Sequence, residues 1–426
     1  MQAAYLPRVC GLDVHKDSVV ACALIQSGSK VKKVVRSFGT FSVHLHELVA
    51  WLLQLGVTHV TLESTGPYWL PVYAVLETAA QLTLIVGNAS HIKNVPGRKT
   101  DCNDAQWLAT LARMGLIRPS FVPPPPLRAL RDLDRAQRTL IQSRATERNR
   151  VLKLLEMTGI KLDSVASDVF GASGLAMLRA LSQGVTDLEQ LAQLAKGTLR
   201  AKLPQLRLAL DGRLLDHHRL LLSVHLGTLD HFDQQLATLQ ACIDSLLAPY
   251  QPQYQLLQSI PGIGPRVATT LIAELGVTMS VFATAGHAAA WAGLCPANKL
   301  SAGKNLGQRV RKGNPHLRTA LVEAAWSARN KKGSYLKDKF RRLASRRGRK
   351  RAAVAIAHKL LVCAYHVLRT GQPYQDLGEQ YLDRLDERRV ARNLVRRLER
   401  LGYGVALSKP QTPQSDSDPE ALSRSA

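Results

Sequence analysis

The chain has 426 residues and a formal net charge of +25, from 57 Lys and Arg residues against 32 Asp and Glu residues. This charge excludes an ordinary acidic metabolic enzyme, and a hydrophobic content of 46% excludes a disordered chain. No stretch approaches the roughly 20 apolar residues of a membrane span, and the N-terminus lacks a signal-peptide pattern, so we expect a cytoplasmic protein without membrane contact.

The first 115 residues carry alternating strand and helix patterns. Apolar β-branched runs at the N-terminus predict an antiparallel meander of three strands. The following strand–helix alternation predicts a mixed α/β sheet. The predicted strands lie within 9–26, 32–38, 57–62 and 82–86, and the predicted helices cover 41–55, 70–80 and 101–114.

Four consecutive prolines at 123–126 predict a stiff break and a domain boundary. Beyond them the chain reads as all-α. Leu229, Leu236 and Ile243 recur at heptad spacing, which fits either an intramolecular helical hairpin or a dimerising coiled coil. We predict a mixed-sheet domain at 1–122, a Pro linker and helical or coiled-coil region at 123–250, a basic domain at 251–371, a helical extension at 372–407 with a helix at 377–401, and a disordered tail at 408–426.

The positive charge is concentrated in one segment. Residues 299–369 contain twenty Lys and Arg residues against two acidic residues, a surplus of eighteen positive charges. A solvated helix face normally mixes both signs, so this pattern indicates a polyanion, and nucleic acid fits best. The candidate nucleic-acid-binding residues of this segment are Lys304, Arg309, Arg311, Lys312, Arg318, Arg341, Arg342, Arg346, Arg347, Arg349, Lys350 and Arg351.

Four carboxylates stand out in the N-terminal region. Asp13 interrupts the first apolar strand, Glu63 follows the strand at 57–62, and Asp101 and Asp104 lie one helical turn apart. Taken singly, Asp101 could be a helix cap and Glu63 a surface charge. A cluster of such charges would repel and would require protons or cations, and all-oxygen ligands suit Mg²⁺ or Mn²⁺, with no His/Cys pattern for zinc.

Two further motifs lie in the basic domain. Gly262 and Gly264 form a GxG turn between two predicted helices, which fits either phosphate binding by backbone N–H groups or a plain helical corner. Ser301 lies in a basic, Gly-containing loop at 295–308, where a lone serine is usually only a loop residue.

Taken jointly, these motifs resemble one family. The segments GLDVHKDS, LESTGPYW, GRKTDCNDAQWLA, SIPGIGPRVATTLIAELG and AGLCPANKLSAGKNLGQRVRKGNPHLR are similar to a DEDD transposase of the insertion-sequence family designated one-ten, whose best-understood members are bridge-RNA-guided recombinases. The resemblance runs over nearly the whole chain and is weakest at 160–220. The C-terminal extension resembles the family's eleven-eleven branch.

The resemblance implies a fold and a set of roles. The N-terminal domain would be RuvC-like, of the ribonuclease-H type, with Asp13, Glu63, Asp101 and Asp104 as metal ligands. The basic domain would be a helical transposase domain with a helix-hairpin-helix-like motif, and Ser301 would attack DNA to form a covalent phosphoserine. The family's two sites are assembled between subunits, so the resemblance implies a dimer or tetramer with DNA and a guide RNA as partners.

Three functions therefore remain open from the sequence. The first is a transposase that cuts and rejoins DNA with divalent metal and Ser301. The second is a RuvC-like nuclease in which metal-activated water attacks the phosphodiester. The third is a non-catalytic nucleic-acid-binding assembly protein whose acidic residues are surface charges.

Overall fold

The computed structural model describes residues 6–93, 104–296, 300–301, 304–305, 310 and 312–408. The chain divides into two compact units, residues 1–124 and residues 125–426. The finer five-part division stays a prediction, and the predicted tail lies outside the described residues from Lys409 onward.

The first unit contains a five-stranded mixed sheet. Its strand order is β3-β2-β1-β4-β5, with β1, β2 and β3 antiparallel and with β1, β4 and β5 parallel. The predicted mixed α/β sheet is confirmed. The strands are β1 (Arg8–Val14), β2 (Ser18–Ser27), β3 (Lys30–Gly39), β4 (His59–Glu63) and β5 (Thr83–Gly87), and the helices are α1 (Ser42–Gln54), α2 (Trp69–Leu76), α3 (Ala89–Lys93) and α4 (Asp104–Arg113).

Helices cover both faces of this sheet. On one face, Leu12 and Leu62 pack in a core with Leu48 and Leu52 of α1. On the other face, Ala105 and Ala109 of α4 pack against residues of β1 and β2. Strands covered on both sides bury both sets of side chains, so their apolar runs are nearly continuous.

The second unit is mostly helical. Its first helices are α5 (Pro125–Met157), α6 (Leu162–Val165), α7 (Ala172–Ser182), α8 (Leu188–Gln193), α9 (Leu203–Leu210), α10 (Asp216–Leu247), α11 (Gln251–Gln258), α12 (Pro265–Leu275) and α13 (Ala285–Trp291). They are followed by β6 (Leu300–Ser301), β7 (Lys304–Asn305), α14 (Pro315–Ala328), α15 (Tyr335–Arg347), α16 (Arg349–Thr370), α17 (Tyr381–Arg384) and α18 (Glu387–Glu399).

The two longest helices, α5 and α10, pair within the chain. Gln137 on α5 donates to Gln240 on α10 at 2.8 Å, and Glu147 contacts His225 at 2.6 Å, so the helices run antiparallel. Leu229 of the heptad pattern is buried in this region. The intramolecular hairpin accounts for the heptads within one chain, and the dimerising coiled coil stays a prediction.

Three local predictions were wrong in detail. Pro125 and Pro126 form the first turn of α5 instead of a linker, because proline is tolerated where the backbone N–H has no helical partner. The helix predicted at 377–401 is divided into α17 and α18, because the Asp386 side chain accepts the N–H of Arg389 and starts a new helix. The loop predicted at 295–308 contains the paired strands β6 and β7.

Among the described residues, α16 alone is long and apolar enough to cross a membrane by length and composition. Half of its most apolar stretch is buried inside the protein, with Ile356, Leu360 and Leu361 in the core. The buried core helix of a globular domain has this composition, so a single such helix is weak evidence for a membrane span.

Candidate metal centre and the Ser301 hairpin

Asp13 and Glu63 lie at the carboxyl ends of neighbouring parallel strands. The register pairs Gly11 with Thr61 and Leu12 with Leu62, so Asp13 and Glu63 occupy the next positions on β1 and β4. Because side chains alternate along a strand, Gly11, Asp13, Thr61 and Glu63 share one face of the sheet. The register alone brings two carboxylates from residues fifty apart to one edge.

Gly11 allows α4 to pack directly on that face. A Cβ atom at Gly11 would lie 2.5 Å from the backbone nitrogen of Ala109 and 2.9 Å from the Cβ atom of Leu108, closer than real atoms approach. Any side chain at this position would push the helix away from β1. The missing side chain therefore lets the first residue of α4, Asp104, come close to the strand ends.

Asp13, Glu63 and Asp104 line one cavity of about 190 Å³. Its wall also includes Trp107 and Ile92. The carboxylates are placed by polar neighbours, since His15 Nε2 lies 3.1 Å from Asp13 Oδ2 and the Thr65 hydroxyl donates to Glu63. Asp101, the fourth predicted ligand, lies outside the described residues.

The donor chemistry of the cavity fits a hard divalent cation. Carboxylate oxygens are the ligands that such ions prefer. In the part of the chain that the structure describes, no three His, Cys, Asp or Glu side chains are close enough to hold one metal ion. The described carboxylates therefore surround a common space without forming a closed ligand set.

Ser301 lies in a short β-hairpin. Its backbone pairs with Lys304, Leu300 pairs with Asn305, and an isolated bridge joins Pro296 to Val310. We call these paired residues the Ser301 hairpin. The side chains of Ser301 and Lys304, and all of Arg309 and Arg311, lie outside what the structure describes.

The base of the Ser301 hairpin is fixed by close backbone packing. A Cβ atom at Gly313 would lie 2.5 Å from the Cα atom of Gly293, so the two chain segments touch at these glycines. The backbone N–H of Asn314 donates to the carbonyl of Trp291 at 3.2 Å. The Asn314 side chain also caps α14, accepting from the N–H groups of His316 and Leu317.

A buried carboxylate links this cap to the long helix α5. Glu274, on α12, is fully buried and accepts from Asn314 Nδ2 at 2.6 Å. Arg135 donates to it through two nitrogens at 2.8 and 3.0 Å, and Arg131 Nε lies 3.0 Å away. Burial lowers the pKa of Arg131, and the Glu274 charge opposes that shift. The network holds α5, α12 and the start of α14 together.

The predicted basic residues are largely solvent-exposed on α15 and α16. Arg342 is the exception, because it pairs with the buried Asp338 at 2.6 Å and with Asp383 at 2.8 Å. Arg318 is half-buried on α14. The exposed members are Lys312, Arg341, Arg346, Arg347, Arg349, Lys350 and Arg351.

The two glycines of the GxG turn differ in their surroundings. Gly262 has a φ of 88° and its Cβ position lies 2.8 Å from the backbone nitrogen of Ala328, so it permits both the turn and its packing on α14. Gly264 has open space around its Cβ position and precedes α12 without a side-chain cap. Phosphate binding at this turn stays a prediction.

Sequence reasoning missed two residues of these sites. His15 belongs to no metal-ligand spacing in the sequence, yet it contacts Asp13 and lines the cavity. Its position two residues after Asp13 was the available signal, since alternate residues share a face. Glu274 was not singled out, and the signal was a lone acid within the apolar run ATTLIAEL.

Two family profiles match the chain in sequence order. A profile of the DEDD type for IS110, described as "Transposase", matches residues 10–160, and a profile described as "Transposase IS116/IS110/IS902 family" matches residues 254–341. The first covers the sheet with its carboxylates, and the second covers the Ser301 hairpin. The chain belongs to the IS110 family of transposases. The branch and the guide RNA stay predictions.

Curated relatives match over shorter segments. The chain is 31% identical over 143 residues to the "Insertion element IS110 uncharacterized 43.6 kDa protein" of Streptomyces coelicolor, covering 33% of this chain and 35% of that protein. It is 30% identical over 208 residues to "Putative transposase y4rJ" of Sinorhizobium fredii, covering 45% and 51% of the two chains. The chain therefore spans about half the length, or less, of these relatives.

Proposed function

We propose that the protein is a transposase that cuts and rejoins the DNA strands of an insertion sequence. The observation that carries this proposal is that Asp13, Glu63 and Asp104 line one cavity inside the segment matched by a transposase profile. Asp101 would complete the ligand set. A divalent cation, Mg²⁺ or Mn²⁺, would supply charge stabilisation for the attacking and leaving oxygens of a phosphodiester.

In this proposal Ser301 is the nucleophile. Its Oγ loses its proton and forms a bond to the scissile phosphorus as the bond to one nucleotide oxygen breaks. That oxygen takes up a proton and leaves as a hydroxyl, and the phosphate stays on the serine as a phosphoserine. Attack by the hydroxyl of another strand then releases the serine. Since the phosphodiester energy is kept in the intermediate, rejoining requires no nucleotide cofactor. The fixed base of the Ser301 hairpin, at Gly293 and Gly313, supports a precise placement of the serine backbone.

The rest of the chain binds the nucleic acids in this proposal. The exposed cations of α15 and α16 would contact phosphates, and the turn at Gly262 and Gly264 would add backbone N–H groups. A structured guide RNA would select the target by base pairing, while the protein reads shape and charge. Assembly as a dimer or tetramer in the bacterial cytoplasm completes the proposal.

The test is a strand-transfer assay with the full chain. The protein is incubated with DNA from the flanks of its own gene, transcripts of those flanks and Mg²⁺ or Mn²⁺, and covalent protein–DNA adducts are measured on denaturing gels. Ser301→Ala should abolish the adduct, and Asp13→Asn should lower it by at least about 100-fold, a typical loss for a catalytic group. Matched controls are Ser327→Ala on α14 and Asp17→Asn between β1 and β2, which are exposed.

The outcomes separate the three candidate functions. An adduct that persists in Ser301→Ala contradicts the nucleophile. Hydrolysed ends without any adduct, lost in Asp13→Asn, indicate a nuclease that uses water. Binding without cleavage, unchanged by Asp13→Asn, indicates an assembly protein.

A further inference from the structure

A cleft of about 560 Å³ lies between α15 and the C-terminal helices α17 and α18. Lys339, Arg342 and Arg346 line it from α15, and Arg389 and Asn393 line it from α18. The C-terminal extension thus supplies one wall of a basic cleft, with cations on both sides.

Specific contacts hold the extension against α15. Arg342 bridges the two parts, donating to the buried Asp338 on its own helix and lying 2.8 Å from Asp383 of α17. The backbone N–H of Tyr335 donates to Asp376 at 2.8 Å, and the rings of Tyr335 and Tyr381 meet edge to face at 5.7 Å. The extension is therefore held against α15 both by a residue that lines the cleft, Arg342, and by residues that do not line it.

Three cations of the cleft have no carboxylate partner among the described residues. Lys339 donates to the neutral hydroxyl of Tyr335, and Arg346 donates to a backbone carbonyl. Arg389 makes no ion pair in the described chain, and the nearby Asp386 accepts the backbone N–H that starts α18. Asp386 also lines the cleft, so these three cations face a single carboxylate, and the surplus of positive charge attracts an anionic partner.

The lining selects the kind of anion. It contains no aromatic side chain, so it offers no platform on which unpaired bases could stack. At about 560 Å³ the cleft cannot enclose a double helix, whose major groove alone is about 12 Å wide, but it can receive the backbone of one strand.

We infer that this cleft holds backbone phosphates of a nucleic-acid duplex, with Lys339 and Arg389 as contacts from opposite walls. The inference rests on the proposed function, because it names a surface that holds the nucleic acid. It gives the C-terminal extension a role in binding.

The test measures binding of a fluorescent 30-base-pair DNA duplex to the full chain by anisotropy, from about 0.05 to 0.3 M salt. Each phosphate contact contributes roughly 0.9 to the slope of log affinity against log salt. The double variant Lys339→Ala/Arg389→Ala should therefore lower the slope by about 1.8 and weaken binding roughly 60-fold at 0.1 M salt. The matched control is Arg392→Ala/Arg396→Ala, which removes two exposed charges of α18 outside the cleft.

Equal losses in the two double variants would overturn the inference, because they would show only a general effect of charge. A loss confined to single-stranded DNA would overturn it as well. Parallel measurements with duplex RNA of the same sequence distinguish the source of the phosphates. Asp13 and Ser301 are unchanged in these variants, so the adduct assay reports separately on the proposed function.

Discussion

Replacing Glu274 by Ala should destabilise the helices that support the Ser301 hairpin by about 3–5 kcal/mol. The carboxylate is fully buried, accepts hydrogen bonds from Arg135 and Asn314, and pairs with Arg131, whose guanidinium donates to the backbone carbonyls of Ala273 and Glu274. Its removal leaves one guanidinium in a largely buried position, since the Arg131 side chain is 15% exposed. An uncompensated buried charge costs more than the ion pair contributes.

The size of the effect follows from the number and kind of bonds. Hydrogen bonds to charged groups contribute roughly 1.5–3 kcal/mol each. If the hydrogen bonds to the Glu274 carboxylate acted independently, their sum would therefore exceed the expected destabilisation of about 3–5 kcal/mol. Arg135 is 36% exposed, and water can solvate its guanidinium once Glu274 is gone. Glu274→Gln keeps the shape and one acceptor oxygen, so it should cost less than Glu274→Ala.

Hydrogen exchange read by mass spectrometry can localise this loss to α12 and α14. Since 1.4 kcal/mol corresponds to a tenfold change, a loss of about 3 kcal/mol should speed exchange there by more than about 100-fold. The matched control is Glu323→Ala, whose carboxylate pairs with Arg138 at 2.7 Å but is 61% exposed. Such a pair contributes about 1 kcal/mol or less.

Similar exchange rates in Glu274→Ala and Glu323→Ala would refute the reasoning, because burial would then have no effect on the strength of the network. A loss of adduct in Glu274→Ala, with unchanged duplex binding, is the expected functional result. The displaced cap at Asn314 would then move the base of the Ser301 hairpin.

Two further predictions concern other parts of the chain. Gly11→Ala should cost about 1–3 kcal/mol by overpacking β1 against α4 and should weaken metal binding near Asp104, measured by thermal unfolding and Mn²⁺ titration; unchanged values would contradict the close packing. Burial raises the pKa of Glu147, but hydrogen bonds from His225 and Arg150 outweigh it and hold the pKa below its ordinary value. The stability that this carboxylate contributes is present above about pH 4.5 and is lost as pH falls through the lower, folded-state pKa. Thermal unfolding of Glu147→Gln should therefore depend less on pH below 4.5, and an identical pH dependence would contradict the assignment.

Much of the first unit could be predicted from local patterns. Alternating apolar residues predicted the strands. Acidic residues at the strand ends indicated the candidate ligands from the sequence alone. The direct packing of α4 on β1 could not be predicted, because it depends on which residues face Gly11 across about one hundred positions of chain.

The second unit shows where sequence patterns fail. A heptad pattern predicts an apolar seam but not its partner, and the partner is α5 of the same chain. The prediction of a single helix at 377–401 was wrong because the apolar spacing continues through Asp386 and gives no sign of a break. In the structure the Asp386 side chain caps the start of a new helix. The cleft at Arg389 depends on the docking of this extension and leaves no local signal.

The sequence by itself determined the family, the mixed sheet, the concentration of positive charge and the candidate carboxylates, because these depend on composition and on short-range order. Only the tertiary structure decided which acids meet at one cavity, how Glu274 connects three helices and where the extension lies against α15. The physical reason is that such contacts join residues up to 143 positions apart, and their energy depends on burial and geometry that no local pattern contains.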